Sequence, residues 1–162
     1  MAEYYFASEN RLELHMKVYI AGPLFNDGER AFNLNIDNII RNCGHETYLP
    51  QRDGGIVAQM PDMIDGVPKE TYVFRKDCEN LKACDLFLLL MDGRVPDEGA
   101  CVALGFCLAH GKHCIGYKTD SRSGYDGKDN IMLLGALDPI LHNEDELRSF
   151  FIHTCTVNDP AA

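Results

Sequence analysis

The sequence predicts an α/β protein, a flavodoxin-like, doubly wound parallel sheet in a single domain. Three observations carry this. Short apolar, β-rich runs alternate with helically periodic segments along the 162 residues, the pattern of a parallel sheet with crossover helices. Leu86 to Leu90 is an unbroken apolar run, as a central strand buried on both faces requires. Residues 85–112 then read as strand, loop and helix, with Asp92, Asp97 and Glu98 between strand and helix. Open α/β sheets bind ligands at that end of their strands.

The elements follow in order. Residues 1–16 form a polar, aromatic-tinged arm, expected to be disordered or an addition made for expression, with Met16 as an alternative start. The domain is expected to span 17–162. Lys17–Ala21 is a strand, and Gly22-Pro23 stops it and lets a ligand approach the backbone. The spacing of Phe32, Ile36, Ile39, Ile40 and Cys43 predicts a helix from Asp27 to Cys43, with Gly44 as its stop. His45–Leu49 is the second strand, closed by Pro50. Residues 50–68 form a long loop, a kind that is usually functional or flexible, with a short helix around Met60–Ile64. Lys69–Cys84 is a helix, Asp85–Met91 a strand, and Gly99 to Gly111 a helix. His113–Tyr117 is the fourth strand. A polar, glycine-rich loop over 119–130 leads to a short helix near Ile131–Leu137 and a short strand at Pro139–His142. The last helix has Asn143 as N-cap, Glu146 at the capping-box position, and Leu147, Phe150, Phe151 and Thr154 on one face.

A net charge of −10 excludes a nucleic-acid backbone as partner, which needs a basic patch. An uncharged nucleoside is compatible with it. No run reaches the roughly 18–20 apolar residues of a membrane span, and the N-terminus lacks the basic-then-apolar order of a secretory signal. The seven cysteines include no C-x-x-C pair. Cys101, Cys107 and Cys114 lie in apolar patterns and read as reduced core thiols of a cytoplasmic protein. No clustered zinc spacing, phosphate loop or dinucleotide fingerprint is present.

Several residues are candidates for chemistry, each with a plain structural reading beside it. Asp97 and Glu98 precede a helix, where acids stabilise the dipole; their place at a strand tip also suits them to a ligand. Asp77 is either a solvated helix position or a group facing the same crevice. Tyr19 in its strand packs or contacts ligand. Gln51, Arg52 and Asp53 form a polar turn or line a pocket. Asn130 suits a helix cap. His110 and His113 have no paired nucleophile and read as structural.

Taken together, VYIAGPLF (18–25), LPQRDGG (49–55), RKDCENLKACDLFLLLMDGR (75–94), PDEGACVALGFCLAHGK (96–112) and DNIM (129–132) resemble the nucleoside 2-deoxyribosyltransferase family, which includes nucleotide N-glycosidases. The resemblance implies a flavodoxin-like fold in homo-oligomers with shared active sites, and a role in nucleotide salvage. It implies cleavage of the N-glycosidic bond of a 2′-deoxynucleoside, passing the deoxyribosyl group through a glutamyl ester to a free nucleobase or to water. Double displacement of this kind parallels retaining glycosidases. Asp77 and Asp97 match acids that contact sugar or base. Tyr19, Gly22, Pro23, Gln51 and Asp92 match the pocket, and Asn130 lies in a segment that reaches into a neighbouring subunit's pocket. No metal or organic cofactor is implied.

The sequence departs from the family at its most sensitive point. The family segment reads D-x-G-x-x-x-E-[LI]-G, with glutamate as nucleophile. Here it runs from Asp97 to Gly105 with Ala103 in that place, and alanine cannot form a glycosyl ester. Three explanations stand open: an introduced replacement at 103; a nucleophile supplied by Glu98, about 140° away on an ideal helix; or a non-catalytic binder or different glycosidase.

Overall fold

The computed structural model describes residues 12–13, 15–55, 57–154 and 156–157. In chain order the strands are β1 (Leu12–Glu13), β2 (Lys17–Ala21), β3 (Glu46–Tyr48), β4 (Met63–Ile64), β5 (Val67–Pro68), β6 (Leu86–Leu90), β7 (His113–Tyr117), β8 (Ile140–Leu141) and β9 (Thr156–Val157). The helices are α1 (Asp27–Asn42), α2 (Lys69–Ala83), α3 (Glu98–Ala109), α4 (Ile131–Ala136) and α5 (Glu144–Thr154). β3, β2, β6, β7 and β8 form a five-stranded sheet in that order. Every pair in it is parallel. β1 pairs with β9 in a separate antiparallel ribbon. Residues 1–11 of the expected arm lie outside the described residues.

Period-two alternation divides the sheet between two cores. Val18, Ile20, Leu86, Leu88, Leu90 and Ile115 pack with Ile36, Ile39 and Ile40 of α1 and with Leu147 and Phe151 of α5. Tyr19, Ala21, Phe87 and Leu89 pack on the other face with Leu81 of α2 and with Ala100, Leu104 and Cys107 of α3. β6 faces both layers, and its five residues are at most 1% exposed.

Local chemistry fixes the helix ends. In α1, Asn26 Oδ1 accepts from Glu29 N at 3.0 Å while Glu29 Oε2 accepts from Asn26 N at 3.2 Å, a reciprocal capping box. Gly44 follows at φ 92, a left-handed conformation that suits glycine. In α5, Asn143 Oδ1 accepts from Glu146 N at 2.9 Å and Asn143 Nδ2 donates to Glu146 Oε1 at 2.7 Å.

The 50–68 segment differs from expectation. Instead of a helix around Met60–Ile64, β4 and β5 form an antiparallel hairpin. Asp65 and Gly66 turn it at φ 50 and 78. Asp-Gly with both φ positive is the two-residue turn whose twist matches a hairpin, and it sets this segment's conformation. Pro50–Gly54 form one wide helical turn. A buried Asp37 anchors it: Oδ2 accepts from Arg52 Nη1 at 2.6 Å and Oδ1 from the Thr47 hydroxyl. Arg52 Nη2 also donates to Thr47 O at 2.8 Å.

Cys84, Cys107 and Cys114 are buried thiols, whereas Cys101 is only half-buried. No helix among the described residues is long and apolar enough to cross a membrane.

Gly22, just past β2, is pressed against β6: a Cβ there would lie 2.7 Å from Leu90 Cβ. Leu90 is fully buried, and its Cβ is fixed by the β6 backbone, so no rotamer change relieves the contact. We expect Gly22→Ala to destabilise the fold by about 1–3 kcal/mol, read as a lowered denaturation midpoint in urea.

Candidate active site

The order β3-β2-β6-β7-β8 reverses direction between β2 and β6. Connections from those two strands leave to opposite faces, so a crevice opens beyond their C-terminal ends. A cavity of about 410 Å³ lies there, between α2 and α3. That volume is in the range of small-molecule sites. Tyr19, Gly22, Asp77, Asp97 and Ala103 line it together. The rest of the lining is mainly apolar and includes Phe74, Val102 and Phe106.

Asp77 is the acid on the α2 side of the cavity. Burial pushes its carboxyl above the usual range, opposed by hydrogen bonds from Tyr48 and Tyr19 and by the charge of Lys76. The Tyr48 hydroxyl donates to Asp77 Oδ1 at 3.2 Å. Burial, and then the adjacent Asp77, raise both tyrosines well above the ordinary phenol range. They therefore remain protonated donors at neutral pH. Their rings stack with centroids 5.1 Å apart, and Tyr19 stacks on Phe87 at 6.0 Å.

Asp97 combines its two readings. Oδ2 caps α3 by accepting from Ala100 N at 2.7 Å, while the residue also lines the cavity. Ala103, six residues on from Asp97 in α3, is half-buried and faces the same space. Glu98, the first residue of α3, is exposed and is not part of the lining.

The other expected residues lie elsewhere. The amide of Gln51 is occupied: Nε2 donates to Arg30 O at 2.9 Å and Oε1 accepts from Asn33 Nδ2 at 3.0 Å. Its neighbour Pro50 reaches the cavity instead. Pro23 and Asp92 line a separate cleft of about 250 Å³ that includes Phe32 and Asn33 of α1. Asp92 accepts from the backbone N–H groups of Thr119 and Asp120 at 2.7 and 2.9 Å, and from the Thr119 hydroxyl. It thus ties the loop after β7 to the loop after β6. Asn130 caps α4, Oδ1 accepting from Met132 N at 2.9 Å, beside a small cleft of about 130 Å³. His110 and His113 bond the carbonyls of Phe106 and Asp138. No group of three or more His, Cys, Asp or Glu among the described residues could hold a metal ion.

Sequence reasoning missed Tyr48 and the aromatic wall of Phe74 and Phe106. Tyr48 stands in register with Tyr19 across β3 and β2. Their pairing is set by strand register, residues 46–48 beside 17–19, which neither segment encodes alone.

Known proteins share this architecture. A conserved protein from Enterococcus faecalis V583 superposes with a TM-score of 0.72 at 23% identity, spanning 86% of this chain and 99% of its own. A 2-deoxyribosyltransferase from Bacillus psychrosaccharolyticus gives 0.67 at 21%, spanning 88% and 97%. A CMP N-glycosidase from Clostridium botulinum gives 0.51 at 17%, spanning 83% and 97%. At these identities the likeness is one of fold. No curated protein sequence matches the chain. The family model described as nucleoside 2-deoxyribosyltransferase matches residues 18–136, and the chain belongs to that family.

Proposed function

We propose that the cavity between α2 and α3 binds a 2′-deoxynucleoside and is shaped for exchange of its base. One observation carries the reading: residues from separate motifs, Tyr19, Gly22, Asp77, Asp97 and Ala103, meet at one cavity at the sheet's reversal point. The apolar lining suits the face of a base.

In the family's reaction a carboxylate at position 103 attacks C1′, and the C1′–N bond breaks as the base leaves with the bonding pair. A protonated Asp77 supplies the proton that neutralises the departing nitrogen. An incoming base then attacks C1′, returns its proton to Asp77 and frees the carboxylate. Water in place of the base gives hydrolysis, the fate suggested by the fold shared with a CMP N-glycosidase. Asp97 offers the oxygen not used in capping to sugar or base. Pro23, Gln51 and Asp92 support the pocket through the loops they tie.

Alanine at 103 removes the attacking group. With Glu98 exposed outside the lining, this chain by itself favours a second reading, a module that holds nucleosides without cleaving them. The cavity mouth also suggests assembly: Phe74 and Val102 line it yet are 63% and 68% exposed. A second copy of the chain covering them would complete the site, with Asn130 offered across that interface.

Ala103→Glu is expected to produce base exchange between a deoxynucleoside and a free base, followed by chromatography; sugar release without added base would instead identify a hydrolase. Tight deoxynucleoside binding with no turnover in Ala103→Glu would establish the binding module. In the Ala103→Glu background, turnover is expected to fall as pH rises through the raised pKa of Asp77, because the proton donor is lost. Asp77→Asn is expected to lower kcat by about 10²–10⁴-fold and remove that limb. Val102→Glu is expected to reduce the oligomer to monomers, measured by light scattering after size exclusion.

A further inference from the structure

A carboxyl that gives a proton to a ligand works best when its orientation is fixed, with one oxygen held and the other turned to the ligand. We propose that Tyr48 is the positioning residue for Asp77, fixing Oδ1 so that the second oxygen is presented to the cavity; its role in catalysis rests on the function proposed above. Tyr48 is 5% exposed and does not itself line the cavity. It therefore acts through Asp77 rather than on the ligand.

The neighbourhood fixes the ring before it fixes the bond. Tyr48 is paired in register with Tyr19 and stacked on it at 5.1 Å. The 50–54 turn closes against its hydroxyl: a Cβ on Gly54 would stand 3.6 Å from that oxygen. Lys76 Nζ donates to Asp53 O at 2.6 Å and ties this turn to α2, one residue before Asp77. Strand, turn and helix thus converge on the Tyr48–Asp77 contact of 3.2 Å.

The charged and titratable groups around the pair are few. Tyr19 on β2, Tyr48 on β3 and Lys76 on α2 act on Asp77. Asp53 in the turn and Tyr72 on α2 act on Tyr48. Cys107 on α3 acts on Tyr19, and Asp97 forms the α3 side of the cavity. A phenol that donates to a carboxylate stabilises its ionised form. Tyr48 therefore opposes burial, and without it the carboxyl binds its proton more tightly.

The test follows the Asp77 side-chain carbonyl by carbon-13 NMR through a pH titration of the full chain, with Asp77→Asn identifying the signal. In Tyr48→Phe, which keeps the ring stack, the midpoint is expected to rise by about one pH unit. In the Ala103→Glu background the alkaline limb of exchange is expected to move upward by the same amount. An unchanged or lowered Asp77 midpoint overturns the proposal. If Tyr48→Phe does not fold, the unsubstituted chain decides: the Tyr48 Cζ resonance is expected to titrate with the Asp77 midpoint, and a flat Tyr48 signal overturns it. These resonances can be read whether or not Ala103→Glu turns over, so failure of the functional reading is seen separately in the absence of exchange.

Discussion

Burial of β6 on both faces is the constraint on which the rest of the structure depends. Its five leucine and phenylalanine side chains have nowhere to go but into one helical layer or the other. Each contributes about 1.5–3 kcal/mol of burial. A strand so enclosed must be paired on both edges, and β2 and β7 supply the partners in parallel. Parallel pairing requires crossovers, and crossovers leaving to opposite faces open the crevice at the β2–β6 boundary. The cavity is thus a consequence of the core.

A polar scaffold then sets the cavity's wall. Asp37 on α1 is buried, and a buried carboxylate is tolerated only when its oxygens are engaged. Arg52 and Thr47 engage them, which pulls the 50–54 turn against α1. Gln51 and Asn33 add a second tie, from Asn33 Nδ2 to both Gln51 Oε1 and Pro23 O at 3.0 and 2.9 Å. The loops after β2 and β3 are consequently held together rather than left to ligand binding. This explains why a polar turn that resembles a binding motif carries structural bonds, while its apolar neighbour Pro50 faces the cavity.

The sheet was legible because its signals are local and strong. The apolar run of β6, the spacing of α1 and the capping box of α5 each specify one conformation. The hairpin at Met63–Pro68 is also encoded locally, in Asp65-Gly66, in place of the helix expected there. Within the site, Asp77, Asp97 and the position of Ala103 could be read from motif order. Tyr48 could not, because its role arises from strand register, a long-range property. Asp92, Gln51 and Asn130 carry both of their readings at once. Their polar groups suggested ligand contacts, and local backbone and side-chain partners engage them.

Under the function proposed above, the alanine on α3 changes what limits the molecule. A site that regenerates itself processes far more ligand than there is protein, and its influence grows with time. A pocket whose wall at residue 103 ends in a methyl group has no atom there to be consumed and restored. Any effect this chain exerts through that position alone is set by occupancy: how much protein is present, and how long each guest stays.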